Sequence, residues 1–248
     1  MTNIMNPSPE SAAEPPSTQP PTASLRGTLA ASLAIVALLS GASYWAWCQL
    51  PAGVRIPMHW DAAGKVNGYG GRGTLFIGPC VVLGLSLLLY LLPYIEPRRE
   101  HLLRSSKAYK TVWLGVVLFL STVQASIVLT ALGHHVPMDR VCTIGMGVLF
   151  TVMGNLFGKI RSNFVFGVRT PWTLSSELAW NKTHRVAGWL FVILGLGIIA
   201  GGLAGVAAKY VLYAFFGFLP LMLVFVFVYS YRVWKSDPNK INLNAAKT

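Results

Sequence analysis

Residues 189–208, WLFVILGLGIIAGGLAGVAA, run for twenty positions without a charged side chain. After Lys209, residues 210–231, YVLYAFFGFLPLMLVFVFVYSY, do so for twenty-two more. About 20 apolar residues, rising 1.5 Å each, cross the roughly 30 Å of bilayer hydrocarbon. No water satisfies the backbone there, so such runs form helices. Outward from this pair the pattern recurs at Gly27–Trp47, Leu75–Ile95, Val112–Leu132 and, in a shorter run, Val141–Phe157. The fold expected is all-α, a polytopic membrane protein with six transmembrane helices. Pro79 and Pro220 fall inside two of the runs and are expected to bend them.

Composition agrees. Of 248 residues, 54% are hydrophobic and 11% charged, against about 25% charged in soluble domains. So few charges cannot cover a water-soluble globule of this length, which excludes a cytosolic enzyme, a disulfide scaffold and a disordered regulator. The net charge of +12 would suit nucleic-acid binding if it formed a patch. Instead the cations lie between the apolar runs, so the bilayer is the partner implied and direct nucleic-acid binding is not expected.

The cations also orient the chain. The N-terminal segment, the second and fourth connections and the C-terminal segment hold fifteen Lys and Arg; the other three connections hold five. Cytoplasmic segments collect Lys and Arg, so both termini are expected in the cytoplasm. All eight acids (Glu10, Glu14, Asp61, Glu96, Glu100, Asp139, Glu177 and Asp237) lie outside the six runs, as do all Lys, Arg and His. Ion-coupled carriers keep an ionisable group at mid-membrane, so a pump or secondary transporter is disfavoured. Ser121, Gln124, Ser126 and Asn155 are read as helix–helix hydrogen-bonding groups, and Gly197, Gly201 and Gly205 as a close-packing face within the bundle or a homodimer seam.

The chain divides into four parts. Residues 1–26, rich in Pro and Ser, should be a disordered tail. Residues 27–132 form an N-terminal membrane region with an extracytoplasmic loop at 51–73. Residues 133–232 form a second membrane region with a cytoplasmic segment at 158–185, and 233–248 a cytoplasmic tail. In the outer loop, Pro57, His59, Trp60, Asp61, Gly64 and Gly68 suggest a compact hairpin turning at Asn67-Gly68. Its His-Trp-Asp cluster is either a ligand site or a headgroup anchor. In the 158–185 segment Thr173 is the expected N-cap of a helix entering the fifth span. On that helix Glu177, Asn181 and His184 would share a face.

The motif Gly154-Asn155 … Lys159-Ile160-Arg161-Ser162-Asn163-Phe164 … Gly167-Val168-Arg169-Thr170-Pro171-Trp172-Thr173-Leu174 … Trp180-Asn181-Lys182-Thr183-His184-Arg185 resembles the signature of the SdpI family of bacterial immunity membrane proteins. The stretch Ile56-Pro57-Met58-His59-Trp60 … Gly64-Lys65-Val66-Asn67-Gly68-Tyr69-Gly70 is similar to the domain of unknown function that commonly precedes it. Together they span about residues 30–232. Ser162 replaces a proline usual in the signature, and Asn67 an acid common in the outer loop. The resemblance implies protection against a secreted membrane-active toxin peptide and, as in the founding member, capture of a cytoplasmic repressor at the membrane. The residues it marks inside are Asn155, Arg161, Asn163, Gly167, Arg169, Thr170, Pro171, Trp172, Thr173, Trp180 and His184.

The alternative is a membrane enzyme or lipid-binding protein acting at the headgroups through His59, Asp61, Arg161, Arg169 and His184, or a small-solute transporter. The sequence carries no Gly-x-Ser-x-Gly, His-Glu-x-x-His or phosphate-loop motif, so no catalysis and no cofactor is expected. Outer histidines His59, His134 and His135 have ligand chemistry suited to Zn²⁺ or Cu²⁺, and Cys48, Cys80 and Cys142 sit near the same face. Solvated histidines and small packing cysteines are the simpler reading, so no metal is expected. Nothing in the sequence sets the oligomeric state.

Overall fold

The computed structural model describes residues 23–61 and 63–240. The Pro-rich tail through residue 22 and the last residues, 241–248, lie outside that range. The elements in order are α1 (Ala23–Gln49), β1 (Ile56–Trp60), β2 (Val66–Gly70), α2 (Ile77–Ile95), α3 (Arg99–Arg104), α4 (Ser106–Ala131), α5 (Met138–Phe157), α6 (Pro171–Leu174), α7 (Glu177–Leu203) and α8 (Ala208–Lys235). Six helices are long and apolar enough to cross a membrane, and the chain is an all-α polytopic membrane protein carrying one small antiparallel hairpin.

The helices extend past the apolar runs. Helix α1 begins at Ala23, inside the stretch read as tail. Helix α7 spans 27 residues from Glu177, about 40 Å at 1.5 Å per residue. It is longer than the hydrocarbon is thick, and its first turns carry Lys182, His184 and Arg185. Helix α2 starts later than expected because Arg72–Phe76 form a 3-10 turn. Pro79 is therefore only the third residue of α2, where no intrahelical partner awaits its missing N–H. The internal proline is Pro93, near the other end of α2. It cannot donate to the Leu89 carbonyl four residues back, and the Tyr109 hydroxyl from α4 donates there instead.

Helices α1, α2 and α4 pack around Leu39, Val82, Tyr109, Trp113 and Val117. Buried Gln124 joins the three, donating to Ser43 Oγ (3.1 Å) and to the Leu75 carbonyl (2.7 Å). Gly78 leaves room for its amide, because a Cβ there would overlap Oε1. Ser121 and Ser126 instead donate to carbonyls of their own helix, and Asn155 is exposed.

The tightest seam joins α5 to α7, with glycines on both sides. A Cβ on Gly188 would lie 2.6 Å from the Gly154 carbonyl oxygen, and one on Gly195 2.6 Å from that of Gly147. Gly188, Gly195 and Gly202 recur every seven residues, matching Gly147 and Gly154, so they stay on one face of packed helices. This seam uses other glycines than the Gly197, Gly201 and Gly205 face. Gly197 meets nothing within 4 Å, Gly201 faces Val211 of α8, and Gly205 closes the α7 end at φ +70°.

The connections sort to two ends. At one, residues 96–105, 158–176 and 236–240 bond to one another. At the other sit the hairpin, the α4–α5 turn and the α7–α8 turn, with Asp139 against Gly64 and Arg140 against Gly205.

Candidate functional site

Residues 158–176 leave α5 and fold back over the helix ends, and many of the hydrogen bonds that hold them go to their backbone. Fully buried Asn163 organises the first half. Its Oδ1 accepts from the Val165 and Phe166 N–H groups, both at 2.9 Å, and its Nδ2 donates to the Arg161 carbonyl at 2.8 Å. A short amide folding back on its own loop is the local chemistry that makes Asn a turn residue.

Helix α7 supplies the second anchor. Trp180 Nε1 donates to the Ile160 carbonyl (2.7 Å). His184, 1% exposed, stacks on Trp180 at 3.9 Å between ring centroids. Its Nε2 accepts from the Val168 N–H (2.9 Å), so the proton resides on Nδ1, which donates to the Trp180 carbonyl (2.8 Å). The imidazole is thus a neutral, doubly bonded post. Gly167 lets the loop reach it: φ is +111°, and a Cβ would collide with Nε2. Of the face expected on α7, only His184 turns inward; Glu177 and Asn181 are exposed, and the buried face carries Trp180, Thr183 and Ala187.

A third set of anchors comes from the α2–α4 connection, which the sequence did not single out. The buried Glu96 carboxylate accepts from the Phe164 N–H (3.2 Å) and the Arg98 N–H (2.9 Å). The Arg98 guanidinium donates to Ser162 Oγ and the Leu174 carbonyl and lies 4.8 Å from the Phe164 ring centre. His101 Nδ1 donates to the Ser162 carbonyl (2.9 Å), and Ser105 Oγ accepts from the Arg161 N–H (2.8 Å). Ser162, the departure from the signature's proline, is therefore a working hydrogen-bond partner. These partners lie 56 to 76 residues away in sequence, so no local motif reveals them.

The loop ends in two caps. Thr170 caps α6, trading hydrogen bonds with Thr173, and Pro171 takes the first helical position. The N-cap of α7 is Ser176, not Thr173, whose hydroxyl is committed to Thr170 and to the Val168 carbonyl (2.9 Å). Trp172 packs edge-on against Phe227 and Tyr231, at 4.7 and 5.2 Å between centroids. Ser176 also donates to Asp237, beyond the end of α8. That bond, with the Asn239 N–H and the nearby Lys240 charge, holds the Asp237 carboxyl below the usual carboxylate range.

Most signature residues are thus inward-facing and structural. Arg161 and Arg169 are exposed. Arg169 donates to the Phe164 carbonyl and stands at the edge of a cavity of about 560 Å³ between the loop and α5, α7 and α8. Asn155 is not part of this cluster; it lines a smaller recess with Arg185 and Trp189.

At the opposite end the hairpin turns at residues 61–65, not at Asn67-Gly68. Asp61 Oδ1 accepts from the Ala63 and Lys65 N–H groups (2.8 and 2.9 Å), and Gly64 takes φ +77°. Asn67 and Gly68 lie in β2, where Asn67 bonds across to His59 Nδ1. A Cβ on Gly68 would sit 3.0 Å from that of His59. Pro57 pairs with Tyr69 and Trp60 with Val66; Trp60 also packs on the cluster around Ile56 and Leu75. Asp61 is thereby a turn residue, and the His-Trp-Asp triplet does not converge. Among the described residues no three His, Cys, Asp or Glu side chains come together to hold a metal ion. His59, His134 and His135 form no such cluster, and the three cysteines are free.

Comparison with known proteins follows the same division. Residues 159–230, from the signature loop through most of α8, match the SdpI/YfhL protein family. Residues 34–83, from α1 through the hairpin into the first turns of α2, match a domain of unknown function (DUF1648). The chain is 28% identical over 180 residues to "Immunity protein SdpI" of Bacillus subtilis (strain 168), covering 73% of this chain and 84% of that protein. No solved structure matches. Through the region that builds the loop and its two following helices, the resemblance to the SdpI/YfhL protein family is shown.

Proposed function

We propose that the chain is an immunity protein of the bacterial cytoplasmic membrane that protects its cell from a secreted membrane-active peptide. Both termini and the 158–176 loop face the cytoplasm and the hairpin faces outward, a reading supported by the fifteen-to-five bias of Lys and Arg. The observation that carries the functional reading is the way family-matching residues are used. Asn163, Gly167, Thr173, Trp180 and His184 hold the loop in place and leave Arg161 and Arg169 exposed on it.

A rigid presentation of exposed cations suits recognition of a cytoplasmic partner with acidic groups, such as a repressor protein captured when the peptide is present. The test is survival of bacteria carrying the chain and exposed to the killing peptide, scored beside recovery of a tagged repressor with the membrane fraction. Protection without repressor capture would reduce the function to immunity alone. Neither protection nor capture, with the protein present in the membrane, would overturn the proposal.

A further inference from the structure

Beneath the 165–170 stretch lies a cavity of about 560 Å³, within the size range of ligand pockets. Buried Phe157, Ala187, Met222 and Val226 form its inner wall. Leu223 and Phe227 of α8, 56% and 52% exposed, stand at its edge, so it opens sideways onto the lipid-facing surface of α8. One charged side chain lines it, Arg169, and no carboxylate does. Bonding to the Phe164 carbonyl occupies one guanidinium nitrogen and leaves other N–H donors free.

We propose that this cavity binds one acyl chain of an anionic phospholipid, with the lipid phosphate held at Arg169. An apolar volume open to the bilayer fills with hydrocarbon rather than water, since water needs two to four polar partners. The position of the loop, over the ends of α5 and α7, puts Arg169 at headgroup depth. Without a carboxylate in the lining, the ammonium of a zwitterionic headgroup finds no partner, whereas a net negative headgroup meets Arg169. The lipid would hold the loop down on α8 as Trp172 does through Phe227. This site does not depend on the immunity reading.

The test uses phosphatidylglycerol and phosphatidylcholine, each with a photoactivatable diazirine in one acyl chain, in nanodiscs containing the full chain. Labelling by the phosphatidylglycerol probe is expected at Phe157, Ala187 and Met222, exceeding the phosphatidylcholine probe about fivefold, the factor set by one basic residue near a membrane surface. Arg169→Gln should abolish that preference and Arg169→Lys should keep it, because a point charge suffices for lipid phosphate. Val226→Trp, which fills the cavity, should remove the inner-wall labels but leave those on Leu221 and Val224 of the outer α8 face. Ala187→Leu serves the same purpose if the tryptophan variant does not fold. Labels confined to the outer face of α8 in the wild type, or equal labelling by the two lipids, would overturn the proposal. Inner-wall sites protected from lipid in a dimer, or only when a peptide is added, would also overturn it and name the second copy or the peptide as occupant.

Discussion

The Val168 N–H donates to His184 Nε2 across 2.9 Å, tying the middle of the 158–176 loop to the buried face of α7. The bond needs a neutral ring with its proton on Nδ1, and it needs Gly167 beside it, where no Cβ fits. His184→Phe would keep the stacked ring but leave the Val168 N–H unpaired, a loss of about 1–3 kcal/mol for a buried donor. The expected result is faster proteolytic cutting within 158–176 in open membranes, with helix content unchanged. Equal cutting rates in variant and wild type would show that the bond does not hold the loop.

Gly167→Ala should act through the same contact and more strongly. It adds the strain of a non-glycine residue at φ +111°, of order 1–3 kcal/mol, to the clash with His184. We expect loss of protection from the peptide with normal membrane insertion, measured by survival and by immunoblot of membranes. A fully protective Gly167→Ala would contradict the loop's rigid role.

The α5–α7 seam makes a contrast testable by thermal unfolding in detergent. Gly188→Ala puts a methyl 2.6 Å from the Gly154 carbonyl oxygen and should lower the Tm by several degrees, since overpacking costs about 1–3 kcal/mol. Gly197→Ala meets nothing within 4 Å and should leave the Tm unchanged or slightly raised.

Much of this architecture could be read from the sequence, and the failures have definite causes. Uncharged runs of about twenty residues give the six spans because the bilayer imposes that length. The sequence points to Thr173 as the cap of α7, but Ser176, with the same chemistry, takes that place because the Thr173 hydroxyl is committed to the exchange with Thr170. The Asn67-Gly68 turn signal lost to Asp61, whose carboxylate captures two N–H groups of a wider turn. Helix α7 carries glycines at both four- and seven-residue spacings, and the sequence alone does not say which set meets α5. Only the second is matched on α5, by Gly147 and Gly154. Glu96, Arg98 and His101 were invisible because their partners are joined to them only by the fold.

Acid should release the C-terminal tether. Asp237 has its carboxyl pKa lowered in the folded protein, first by the Ser176 hydroxyl and then by the Asn239 N–H. Its stabilising effect is therefore complete above the unfolded carboxylate pKa, about 3.9, and is lost as pH falls through the lower folded value. Hydrogen exchange at residues 236–240 should stay slow, beyond the intrinsic dependence on pH, from neutral down to about pH 4 and accelerate below it. Asp237→Asn should show the fast exchange at neutral pH.

The orientation is open to direct labelling. A cysteine replacing Lys65 in the hairpin should react with an impermeant maleimide in intact cells, and one replacing Lys159 should react only after the membrane is opened. The reverse pattern would place the signature loop outside and remove the cytoplasmic role proposed for it.

The most direct measurement is survival of a sensitive bacterium that carries the chain and is challenged with a secreted membrane-active killing peptide. The wild-type chain should restore survival. Arg169→Ala and Arg169→Lys, both reaching the membrane at normal levels, should not, because a lysine lacks the planar guanidinium fork that Arg169 presents. Failure of the wild-type chain to protect, with the protein in the membrane, would contradict the immunity function; full protection by Arg169→Lys would contradict the role given to its guanidinium.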